Sequence, residues 1–141
     1  MTVLGTFDIK TGEVSIGPLL LTADMNPGEL AAAGTKIDRV IDMKTGWVIQ
    51  TTGPYAAAGR QVYVSLEFER DRLRRIGLSF CDRPDLDLTG LFDEHSAFLQ
   101  QELGSPAKKT NTSVIYNFGW GTISAELDLR GGSSQIMCVY R

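Results

Sequence analysis

The sequence predicts an α+β fold, an antiparallel sheet carrying one short and one longer helix in the order ββαββ-ββαβββ. Three observations lead there. In "QVYVSLEFE" and several shorter stretches, apolar and polar residues alternate with a period of two, as in a strand with one face in the core and one in water. In "LFDEHSAFLQQEL" apolar residues recur at steps of three and four, which marks a helix. Short glycine-bearing turns separate the alternating stretches, so consecutive strands fold back on one another. At 141 residues the chain is read as one domain, 1–141, long enough to close a core without staples.

The opening hairpin is "TFDIKTGEVSIG". Phe7 and Ile9 alternate with polar residues, Thr11 and Gly12 turn the chain, and Val14 and Ile16 return. A near copy follows, "DIKTGEVSI" at 8–16 and "DMKTGWVIQ" at 42–50. Two copies with unmatched intervening residues do not make a solenoid, so this is one turn chemistry used twice. Between them, "MNPGELAAAG" is a helix of about two turns. Asn26 caps it, Pro27 takes the first position, Glu29 completes a capping box, Gly34 ends it and Leu30 anchors it.

"GPYAAAG" reads as a loop. Beyond it Val62, Val64, Leu66 and Phe68 point one way, and Tyr63, Ser65, Glu67 and Glu69 the other. The chain turns near Asp71, and Ile76, Leu78 and Phe80 form the returning row. The main helix carries Leu91, Phe92, His95, Phe98, Leu99 and Leu103 on one stripe, which must lie on the sheet. Asp87 or Thr89 caps its start, and Gly104 followed by Pro106 stops it. "AKKTNTS" is a polar loop, and three strands close the chain at 114–118, 122–129 and 135–140.

Composition narrows the function. The formal net charge of −3 argues against nucleic acid as a direct partner. No apolar run approaches the roughly 20 residues that cross a bilayer, so no membrane association is expected. "MTVLGTFDIKTGE" has no basic stretch leading an apolar block, so cytoplasmic localisation is expected. Cys81 and Cys138 both lie in apolar strand-like stretches and are expected to be buried, unreactive hydrophobes.

Candidate functional residues each carry a plainer reading. Trp120 stands between Gly119 and Gly121. It is either a binding anchor or a packed side chain to which the flanking glycines give room, and packing is favoured for it and for Trp47. His95, the single histidine, sits on the apolar stripe and reads as a core residue, since a general base needs an orienting partner and a cleft. "DRPDLD" offers Asp82, Asp85 and Asp87 but lacks the glycine and distal glutamate of a calcium loop. No metal is expected there. "ERDRLRR" gathers Arg70, Arg72, Arg74 and Arg75, either an anion-binding cluster or a charged hairpin tip that guards a sheet edge. Asp82, Asp85, Asp87, Asp93, Glu94 and Glu102 stand against Arg83 alone. That surplus makes an acidic face suited to a basic partner. No phosphate loop, nucleophile elbow or paired histidine occurs in the sequence, and no cofactor is implied.

The "IGPL" hairpin, the "GEL" helix, "DRLRRIGLSF", "FLQQELGSP" and "FGWGTISAELDLRGGSSQIMCVYR" resemble a family of small uncharacterised bacterial α+β proteins. That resemblance implies the fold and transfers no catalytic residues. In size, acidity and build the chain is also similar to bacterial immunity proteins, which neutralise toxins by occluding them. The expectation is a non-enzymatic protein-binding domain, an immunity-type inhibitor of a basic toxin domain. It would act through Asp82, Asp85, Asp87, Asp93 and Glu94, with Trp120 as anchor. The alternative is a small-ligand module or enzyme in a sheet–helix cleft lined by His95, Trp120 and the arginines. A homodimer through a sheet edge is a third arrangement.

Overall fold

The computed structural model describes residues 6–141. Three short strands, β1 (Thr6–Phe7), β2 (Val14–Ile16) and β3 (Leu19–Leu21), form an antiparallel meander. Helix α1 (Pro27–Ala32) follows. Then come β4 (Arg39–Asp42), β5 (Trp47–Ala57), β6 (Arg60–Glu69) and β7 (Arg72–Phe80). After helix α2 (Leu88–Leu103) the chain ends in β8 (Lys108–Lys109), β9 (Ser113–Phe118), β10 (Gly121–Asp128) and β11 (Ser133–Tyr140). The last eight strands form one sheet in the order β4-β5-β6-β7-β11-β10-β9-β8, antiparallel throughout, so the fold is α+β as expected.

One face of this sheet is the core. Val64, Leu78, Ile136, Ala125 and Val114 are cross-strand neighbours in one row, and Leu66, Ile76, Cys138, Ile123 and Tyr116 in the next. All ten are buried, and full burial of each large aliphatic among them contributes about 2 kcal/mol. Helix α2 covers the middle of these rows, on β7, β11 and β10, through buried Phe92, His95 and Leu99. The meander and α1 add Val14, Ile16, Leu19, Leu21 and Leu30 to the same core. The segment around Phe98 therefore seals one side of a continuous antiparallel layer. Along β6 the other face carries Tyr63, Ser65, Glu67 and Glu69.

Both helix ends follow the sequence. Asn26 Oδ1 accepts from Glu29 N–H at 2.9 Å, and Glu29 Oε1 accepts from Asn26 N–H at 3.2 Å. Asp87, rather than Thr89, caps α2, accepting from Gly90 N–H at 2.7 Å, and Gly104 ends it. The repeated turn also holds: Asp8 and Asp42 each accept the N–H two residues on, from Lys10 and Lys44, at 2.9 Å.

Several expectations need correction. Among the described residues the expected nine strands are eleven, because no local pattern marks β3 and β8. β3 is three leucines without alternation, and β8 is two lysines whose register only β9 supplies. "GPYAAAG" is not a loop. β5 runs through it to Ala57, with a register shift between Thr52 and Tyr55 that absorbs Gly53 and Pro54. Ile9 leaves the strand and is half exposed. Cys81, expected to be buried, is exposed just past the end of β7, while Cys138 is buried.

Candidate functional site

The acidic cluster gathers at the start of α2, where β6 begins and β7 ends. Val62 is paired with Phe80, and the same register two residues on sets Arg60 opposite Asp82. Arg60 donates through Nε and Nη2 to both Asp82 oxygens at 2.8 and 2.9 Å. Its Nη2 also donates to Glu94 Oε1 at 2.8 Å. Gln61 N–H adds a bond to Asp82 at 3.1 Å. Arg83 closes the network, forking onto Asp85 at 3.0 Å and approaching Glu94 Oε2 at 3.6 Å. These fork-on-fork contacts are the strong form of ion pair. The Arg60 hydrogen bonds hold the Asp82 carboxyl down near 2, and the Asp82 bond raises the Arg60 guanidinium.

The acids are thus not a bare patch. Asp82, Asp85 and Glu94 are paired, Asp87 is occupied as a cap, and Asp93 stands exposed. No local pattern relates Arg60 to these acids, since it lies 22 residues from Asp82 and 34 from Glu94. Five carboxylates against two guanidiniums still leave three negative charges, equal to the formal net charge of the chain.

Beneath this network lies His95. Arg60 covers the Phe80 ring at 4.0 Å, and that ring tilts against His95 at 4.8 Å. His95 Nε2 accepts from Phe80 N–H at 3.1 Å, so Nδ1 carries the proton and donates to Ser134 Oγ at 2.9 Å. Burial first, and the Arg60 charge second, push the imidazole down to about 4. Both ring nitrogens are committed within the core, and the side chain ties α2 to β7 and β11.

The arginines diverge. Arg72 approaches Asp24 at 3.5 Å, Arg74 reaches Glu69 at 4.0 Å, and Arg75 meets Glu67 at 3.5 Å while lying 4.7 Å over Trp47. Arg70 sits in the β6–β7 turn with Asp71. Each strand arginine thus has its own carboxylate, and the four do not converge on one anion site.

Trp120 is packed. It stacks on Phe118 at 5.3 Å and 5°, tilts against Tyr140 at 5.7 Å, and donates Nε1–H to Ile9 O at 2.8 Å. The glycine that gives it room is Gly12, where a Cβ would stand 2.6 Å from the indole. Gly121 makes way for the Val139 carbonyl across the strand, and Gly119 faces open space. The expected cleft of His95, Trp120 and arginines is therefore not formed; these groups occupy separate parts of the fold.

A half-open cavity of about 600 Å³ lies elsewhere, between the end of α2 and the flank of β9. Phe7, Leu103, Pro106 and Phe118 wall it, with Glu102 at its margin. In the sequence Glu102 belongs to the acidic surplus, and nothing local relates it to Phe7 or Phe118. The chain matches no family model, no curated protein and no solved structure.

Proposed function

We propose that the chain is a non-enzymatic cytosolic protein-binding domain of the immunity-inhibitor type, whose acidic surface at the start of α2 engages a basic partner. One observation supports this above the others. Arg60 and Arg83 fix Asp82, Asp85 and Glu94 in place yet leave the patch with three net negative charges, that of exposed Asp93 included. Carboxylates held by hydrogen bonds lose little freedom on binding, and the surplus charge steers a cationic surface inward. The enclosure of His95 favours occlusion over catalysis, because a general base needs a free nitrogen at hydrogen-bond distance from substrate.

The test mixes the chain with candidate basic toxin domains. The expected result is binding and neutralisation that weaken steeply as salt rises. Asp85→Lys with Asp93→Lys should slow association about tenfold or more. Absence of binding, or binding indifferent to both salt and the reversals, rejects the reading.

A further inference from the structure

The flank of the sheet beside the cavity is only partly covered. β8 pairs with β9 at two positions, Lys108 with Ile115 and Lys109 with Val114, whereas β9 continues to Phe118. Ser113 and Ile115 turn their carbonyls outward, accepting from Thr110 N–H at 2.7 Å and Ala107 N–H at 2.8 Å. Backbone groups alternate sides along an antiparallel strand, and the β9–β10 register is unbroken from Ser113 to Phe118. Asn117 therefore directs its N–H and C=O to the same outer edge, one step past Ile115. Among the described residues, no strand lies beyond β9 there.

This step of backbone, unpartnered among the described residues, adjoins the 600 Å³ cavity, which Asn117 also lines. Phe118 is held against it by the Trp120 stack, so the apolar wall is rigid. Glu102 stands at the margin and takes part in no described salt bridge. An edge donor and acceptor without a partner among the described residues, an apolar pocket beside them and one carboxylate are what an added strand requires. Main-chain bonds supply affinity, and the pocket selects alternate side chains.

We propose that this groove binds an extended peptide segment of a partner protein as an added strand on β9. A large apolar side chain enters the cavity, and a lysine or arginine two residues away, on the same face, meets Glu102. The proposal rests on reading the chain as a protein-binding domain, but it uses the end of α2 remote from the acidic surface, about 24 Å away along a 16-residue helix.

The probe is a fluorescein-labelled peptide with a central phenylalanine, threonines beside it and lysines two positions away, followed by fluorescence anisotropy with the full chain. Saturable binding is expected. N-methylation of one alternating set of peptide amides should abolish it, and of the other set spare it, a pattern only strand addition produces. Asn117→Pro removes the outward N–H at an edge position that tolerates proline, and should weaken binding about tenfold with thermal stability held. Glu102→Lys should weaken the lysine peptide and favour its glutamate counterpart. Asp85→Lys with Asp93→Lys should leave peptide binding unchanged, so the two surfaces fail or succeed separately. No binding, or binding indifferent to N-methylation and to Asn117→Pro, overturns the proposal. So does binding seen only when the chain begins at Thr6, which assigns the groove to its own first residues.

Discussion

The indole of Trp120 lies directly over Gly12, so close that a Cβ at position 12 would stand 2.6 Å from it. From the same side the Tyr140 hydroxyl donates to Gly12 O at 2.6 Å. Two aromatic residues, Trp120 in the β9–β10 turn and Tyr140 at the end of β11, thus clamp the first described turn of the chain, more than 100 positions away in sequence. The meander that caps one end of the core is held by this clamp.

Gly12→Ala should therefore destabilise the fold by about 3 kcal/mol, combining overpacking with a positive φ of 82°. Near Trp120 itself the two flanking glycines should separate. Gly121→Ala drives a methyl into the Val139 carbonyl and should cost several kcal/mol, about 3 or more. Gly119→Ala meets open space and should stay within about 0.5 kcal/mol. Urea unfolding of the three variants checks the ranking, and equal effects at 119 and 121 would refute it.

Arg60 is the keystone of the charge network. Arg60→Ala leaves Asp82 and Glu94 facing one another with no shared counter-charge, and strips the cover from Phe80. About 2 kcal/mol of stability should go, a figure reduced from the buried-pair range because these side chains keep partial access to water. Arg60→Lys should recover little, since an ammonium cannot fork onto Asp82 while reaching Glu94. Full recovery by lysine in chemical denaturation would contradict the fork geometry.

His95 sets the acid limit. Its folded value near 4 lies below the ordinary 6.5, so the unfolded chain binds a proton that the folded chain refuses. Stability is intact above about 6.5 and falls as pH drops toward 4, by about 3 kcal/mol in all. Asp82, also depressed, adds its loss lower, as pH falls from about 4 through 2. Protonation would place a second N–H against that of Phe80, so the core bond itself is lost. In His95→Gln the slope between 6.5 and 4 should vanish, although the variant is less stable throughout. An unchanged slope in urea midpoints would remove His95 as its source.

Much of the architecture was legible because it is written in local chemistry. Val62 to Phe68 alternate, Phe92, His95 and Leu99 recur with helical spacing, and Asn26, Glu29 and Asp87 cap within three residues of their partners. Each of these interactions spans at most a few residues, so side-chain order alone fixes it. What tertiary structure decided is everything that joins distant segments. Arg60 turns an apparent acid surplus into an ordered network, Gly12 rather than its own neighbours admits Trp120, and β8 exists only because β9 offers a register. The cavity walled by Phe7, Leu103 and Phe118 belongs to this second class. Cross-strand partners are chosen by the packing of the whole sheet against α2, and no local pattern encodes which residue a strand will meet.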